Sequence, residues 1–374
     1  MSKHTERLIA GALPGFFSLA LCLTASAADW PLARGDAAAT GVASETLPED
    51  LEVLWKFEAG KDGAIEATAA IADGVVYVGS FDGNLYAIDL ATGKKKWSYK
   101  TDLGFSAAAA VRDGRVIAGD SDGKVYCLNA ADGAEIWGFE AGGEINGGPN
   151  FYKDNVLIGS QDATLYCVKA ATGEKVWEHK IGDQIRSFLT VVENRAFLAG
   201  CDGKLHIINL DDNSTLGSVE IESPTGCTPA MLGDRVFFGT EGSTFLAVDW
   251  RKAEVAWRYR SPRQQAYRSS AAATDNAIIV GGRDKQVVAL DPKSGSEVWK
   301  YTTRHRVDSS PVVSGNRVFF GAADGRLTAL DVKSGEKVWE YEAGGQFNAS
   351  PAVSNGRLVI GNTDGTLYCF GAKK

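Results

Sequence analysis

From residue 51 to the C-terminus, short apolar runs alternate with turn residues, and the alternation repeats about every 40 positions. A Gly closing an apolar run stands at Gly79, Gly119, Gly159, Gly200, Gly239, Gly281, Gly321 and Gly361, in steps of 40, 40, 41, 39, 42, 40 and 40. A fixed period of this size marks a repeat architecture rather than a pair of unrelated domains. Eighteen residues after most of these glycines comes a Trp, at Trp97, Trp137, Trp177, Trp257, Trp299 and Trp339. In the fourth unit, one residue shorter, Gly217 takes its place.

Within a unit the pattern is that of strands. "GVVYVGS" and "NLYAIDL" are β-branched and aromatic runs of strand length, and the Asp-Gly joining them is a strong hairpin signal. That turn recurs at Asp82-Gly83, Asp122-Gly123, Asp202-Gly203, Asp324-Gly325 and Asp364-Gly365. A second turn, "ATGK" or "KSGE", leads into the Trp strand, and a short small-residue strand such as "NASPAVS" precedes each unit. Four antiparallel strands per unit, with no helical periodicity, predict an all-β chain whose units are the blades of a β-propeller. Blades bury their faces against one another, and Trp suits the space between neighbours.

The two ends of the chain decide the blade number. The last unit, "GNTDGTLYCFGAKK", lacks its Trp strand, whereas "LEVLWKFEAG" near the N-terminus is a Trp strand with no unit before it. Trp55 lies 42 residues before Trp97, so residues 51–58 are expected to complete the last blade. The fold class is an eight-bladed β-propeller of four-stranded antiparallel blades over residues 51–374, closed without a free edge. Residues 28–50 read as an extended leader. Removing 51–58 is expected to open the ring, and removing 28–45 to leave it intact.

Residues 1–27 have a different grammar. Lys3 and Arg7 precede an apolar run ending near Leu23, and Ala25-Ser26-Ala27 fits a small-x-small cleavage site, the pattern of a secretory signal peptide. Export to the periplasm or beyond follows, with no transmembrane segment left after cleavage. Cys22 follows Leu21 where a lipidated cysteine follows a small residue, so lipid anchoring is not expected. At net charge −8, nucleic acid is not a favoured partner, and a monomer is expected. The remaining cysteines, Cys127, Cys167, Cys201, Cys227 and Cys369, include no C-x-x-C, which leaves neither a zinc knuckle nor a redox motif.

The repeat "YAIDLATGKKKW", echoed in "TALDVKSGEKVW" and "VALDPKSGSEVW", resembles that of the pyrroloquinoline-quinone (PQQ) β-propeller superfamily. The resemblance covers essentially everything after residue 50. The stretch "DWPLARGDAAATGVA" at 29–43 resembles the leader of many exported PQQ-like propellers, and its RGD reads as a chance triplet. Two branches are relevant. The BamB-like, non-enzymatic branch implies a scaffold binding proteins or peptides at the cell envelope, in outer-membrane protein assembly. The quinoprotein alcohol dehydrogenases imply PQQ and Ca²⁺ in the axial funnel. Against the second, the chain is short for that branch, carries no adjacent cysteines, and shows no recognisable Glu/Asn/Asp set for the calcium and the base. A sensor for a small anion is a further alternative.

Propellers bind ligands at the axis, so the start of each innermost strand is the place to look. Aligning the units puts Glu66, Ser106, Asn146, Arg186, Gly226, Arg268, Asp308 and Asn348 at one equivalent position, a polar and varied ring. A purely structural position would converge on small residues, as the next positions do. Arg260, Arg263, Arg268, Arg283, Arg304 and Arg306 form a basic sector around blades six and seven, suited to an acidic peptide or small anion. Topology brings Cys201 near Cys227, where a disulfide is expected to be possible. His179, His206 and His305 fall at unrelated repeat positions, and no catalytic constellation stands out.

Overall fold

The computed structural model describes residues 29–373, so the proposed signal peptide and Cys22 lie outside the described residues. Eight four-stranded antiparallel sheets form the ring. The first blade runs outward from the hub through Ala70–Ala72, Val75–Gly79, Asn84–Asp89 and Lys95–Lys100. Each of the next six repeats this order. The eighth is assembled from Ala352–Ser354, Arg357–Gly361 and Thr366–Gly371, with Glu52–Glu58 as its outer strand. Trp55 pairs with Cys369 there, as Trp97 pairs with Ala87 in the first blade. Among the described residues there is no helix, and thus none long and apolar enough to cross a membrane.

Blade faces are apolar because alternate residues of each strand face opposite neighbours, and both neighbours are other blades. The two middle strands are therefore buried almost throughout, as in Val75–Gly79. Outer strands face water and alternate instead, with Trp97, Trp137 and Trp299 each about 8% exposed. Every outer strand carries a bulge that skips the residue before the Trp or its replacement. The skipped residue points to solvent, which is why Ile136, Val176, Leu216, Val298 and Val338 are exposed. A bulge twists the rim and spoils it as a template for another chain.

Six of the seven indoles also reach across to the next blade with a hydrogen bond. Trp55 Nε1 donates to Leu90 O (2.9 Å), Trp97 to Ala130 O (3.0 Å), Trp137 to Ala170 O (3.0 Å) and Trp299 to Val332 O (2.8 Å). Beneath the ring lies the turn Gly of that neighbour, Gly93, Gly133, Gly173 or Gly335, at φ of 72–75°. A Cβ there would come within 2.6–2.7 Å of the indole.

Residues 29–50 correct the sequence reading. They are not a linker but a strap laid across the hub, hydrogen-bonded to all eight blades. Trp30 exchanges both backbone bonds with Ile71 (2.8 Å), and Pro31 O accepts from Val111 N. Ala37 O accepts from the Asn150 side chain and from Val191 N. Ala38 O, Thr40 O and Gly41 O accept from Met231 N, Ala273 N and Val313 N. Glu45 Oε2 accepts from Gly356 N (3.1 Å) in the eighth blade. The physical reason is the hub-facing edge of each innermost strand, whose backbone groups need partners once buried. Trp30, Leu47 and Leu51 join the core formed by the first, seventh and eighth blades.

Deleting residues 29–47 is therefore expected to destabilise the whole ring, contrary to the leader reading. Trp30→Ala alone should cost about 3–5 kcal/mol of unfolding free energy, measured by urea titration. An unchanged urea midpoint would refute the strap's structural role.

Candidate functional site

The loops that connect blades and the Asp-Gly turns share one face, because the chain reverses twice between them. Thr101 N donates to Gly83 O and Ala343 N to Gly325 O, both at 2.8 Å. The turn aspartates fix this face. Asp82 accepts from Gly60 N (2.7 Å) and Tyr86 Oη (2.5 Å), and Asp162 from Gly142 N and Tyr166 Oη in the same way. The repeated Asp is thus a latch between consecutive strands as well as a turn former.

At the axis, Glu66, Ser106, Asn146, Arg186 and Gly226 line the mouth of a cavity of about 180 Å³. Two residues further along each innermost strand, Thr68, Thr228, Ser270, Ser310 and Ser350 line it more deeply. Ala33 and Arg34 of the strap form its floor, so the channel is closed on the opposite face. The mouth residues are wired to each other. Asn348 donates to Glu66 Oε1 (3.0 Å), and Asn146 donates to Ser106 Oγ (3.3 Å) and Glu144 Oε1 (2.7 Å). Arg186 leans on Gln184. The remaining two ring members turn to other partners: Arg268 pairs with Glu241 (2.9 Å), and Asp308 is held by arginines.

Those arginines belong to the expected basic sector, which proves partly self-neutralised. Arg283 grips Asp308 through Nε and a terminal nitrogen, both 2.8 Å, and Arg306 Nε adds a third bond at 2.9 Å. The bidentate bond to Asp308 raises the Arg283 pKa further. Arg263 donates to Asp284 O (3.0 Å). Arg260, Arg263 and Arg304 stay exposed, and among the described residues none of them makes an ion pair.

Sequence reasoning passed over Arg34. The residue is about 3% exposed, and its terminal nitrogens donate to Ala271 O (3.1 Å), Pro311 O (2.6 Å) and Ser310 O (3.4 Å). Burial pushes its pKa down to about 10. Gly41 is required beside it, since a Cβ there would strike the guanidinium. The signal in sequence was the one basic side chain in an Ala-rich stretch, together with Ser270, Ser310 and Ser350 at the repeat spacing.

The family model described as "Outer membrane protein assembly factor BamB" matches residues 40–146, 121–217 and 161–374. The chain belongs to that family. A comparison with curated protein sequences gives no match. Among solved structures, BamB from Moraxella catarrhalis is 17% identical with a TM-score of 0.73, covering 87% of this chain and 98% of its own. The computationally designed Ika8 protein is 20% identical, TM-score 0.74, covering 84% and 98%. Quinohemoprotein alcohol dehydrogenase from Comamonas testosteroni is 16% identical, TM-score 0.79, covering 93% and 81%. At these identities the structures share the fold alone.

In this BamB-family ring the cysteines are buried fillers with one exception. Cys201 and Cys227 are free, as are the other three. The possible disulfide between Cys201 and Cys227 is not formed in this structure: Cys227 points into the next blade, 3.2 Å from Tyr267 O, while Cys201 faces Thr225 O. Burial raises the Cys127 thiol to about 11 and those of Cys167, Cys227 and Cys369 to about 12. Apart from Cys22 of the N-terminal segment, Cys201 alone is expected to react with a thiol reagent in the native protein. Labelling followed by mass spectrometry, before and after unfolding, measures this, and rapid labelling of Cys227 would contradict the geometry.

Proposed function

We propose that the protein is an exported, non-catalytic scaffold of the cell envelope, which holds an acidic segment of a partner protein or peptide in outer-membrane protein assembly. The observation that carries this reading is the set of exposed arginines without ion pairs, Arg260, Arg263 and Arg304, on the loop face of a BamB-family propeller. A guanidinium with no carboxylate partner within the protein keeps donors free to fork onto one from outside, and Arg263 spends only one terminal N–H, on Asp284 O. The signal-like pattern of residues 1–27 supports export.

The quinoprotein alternative fits the hub less well. The cavity of about 180 Å³ is below the roughly 300 Å³ at which ligand pockets begin. Its floor is a guanidinium, which would repel Ca²⁺. A hard cation needs about six oxygens, and the carboxylates near the mouth are committed, Asp308 to Arg283 and Arg306, Glu66 to Asn348.

Replacing Arg260, Arg263 and Arg304 together by Ala is expected to weaken partner capture about tenfold, or ~1.4 kcal/mol, with the thermal midpoint unchanged. Crosslinking in envelope extract, read by mass spectrometry, measures it. Undiminished capture by the triple variant would count against this surface. Appearance of quinone absorbance and dye-linked alcohol oxidation on adding PQQ and Ca²⁺ would favour the alternative.

A further inference from the structure

We propose that the axial cavity above Arg34 is a binding site for a small monoanion, chloride or a single carboxylate of formate or acetate size. The inference stands apart from the partner surface, which lies further out on the loop face.

Three features converge on it. First, Arg34 brings a full positive charge into the hub; among the described residues no carboxylate lies within ion-pair distance of it, and the carboxylate nearby in the strap, Asp36, acts on it only from further off and is taken up by Thr40. Its terminal nitrogens meet only backbone carbonyls, and its Nε–H is buried with no acceptor. A buried cation whose donors are left over is costly unless an anion or other acceptor completes the shell. Second, the serine hydroxyls around the cavity are committed on one side only. Ser270 Oγ accepts from Thr228 N (2.9 Å), Ser310 Oγ from Ser270 N (3.0 Å) and Ser350 Oγ from Ser310 N (3.0 Å).

Each of these oxygens thus spends an acceptor site on the preceding blade and keeps its own proton. None of the three protons has an acceptor among the described residues, and the side chains line the cavity at 7–8% exposure. A hydroxyl that must accept from a backbone N–H is left to donate elsewhere. The repeat imposes this arrangement, because a bond from one blade's backbone N–H to the next blade's hydroxyl recurs wherever that next blade carries Ser at this position.

Third, the mouth selects by charge number. Arg186 lines it on one side and the Glu66 carboxylate on another. Asp308 and Glu241 stand at the level of the same ring, each held by arginine. A single negative charge gains from Arg34 without heavy opposition, whereas a di- or tricarboxylate must carry additional charge past Glu66. The volume of about 180 Å³ accommodates a small ion with a few waters.

The test uses the full chain, exchanged into citrate buffer, and follows the thermal midpoint at constant ionic strength as citrate is replaced by chloride or acetate. Binding at 100-fold above Kd is expected to raise the midpoint by about 4 °C, saturably, and Arg34→Met should abolish the response. The two arms separate an inorganic anion from a carboxylate. An equal response in wild type and Arg34→Met, or no response in wild type to either anion, overturns the proposal. Should Arg34→Met not fold, crystals of the wild-type protein soaked in bromide decide. An anomalous peak on the axis within reach of Arg34 Nε and the serine hydroxyls supports the site, and its absence from an otherwise well-ordered map refutes it.

Discussion

The ring depends on the contact each blade's Trp makes with the next. At five seams, those of Trp55, Trp97, Trp137, Trp257 and Trp299, the indole stacks over a turn glycine in the left-handed region and donates its one N–H to a carbonyl of the same turn; Trp339 donates to Leu51 O instead, and the turn after Trp177 carries Asn213 at φ 60° in place of Gly. Both halves are needed, because the indole is too large to bury without an acceptor and too close to tolerate a Cβ beneath it. The fourth blade tests the rule. It carries Gly217 instead of Trp, and its neighbour's turn carries Ala253 at φ 53° instead of Gly, 3.6 Å being ample between them. The lost volume is returned from the fifth blade by Trp250, which packs edge-on against Phe197 and is flanked by Arg195 and Arg251. A large ring is supplied to that seam from the other side.

The same contact explains what was legible in the sequence. A Trp every 40 residues, and a stray one at Trp55, sufficed to count eight blades and to place the N-terminal strand in the last one. The strap was illegible for an equally physical reason. It has no repeat and little periodicity, and its Ala and Gly residues pair through their backbones, which leave no trace in side-chain pattern. Only Trp30 and Leu47 hint at burial.

The candidate site was legible in part. Repeat alignment placed Glu66, Ser106, Asn146, Arg186 and Gly226 at one mouth, which the structure brings together. Alignment could not say which partners each side chain takes across blades. Arg283, Arg306 and Asp308 look like surplus charge in sequence and are a closed ion-pair group in space. Likewise, adjacency of Cys201 and Cys227 in topology said nothing about the direction of their side chains.

The strap has a consequence for the evolution of the ring. Repeat proteins can gain or lose units by duplication, since each unit contacts only its neighbours. Here one short segment, from Trp30 to Glu45, spans the hub and finds a partner in every blade. An added blade would widen the hub beyond its reach, and a lost one would leave it without room. The strap therefore works as a gauge of ring size, holding the blade number at eight while individual blades remain free to diverge.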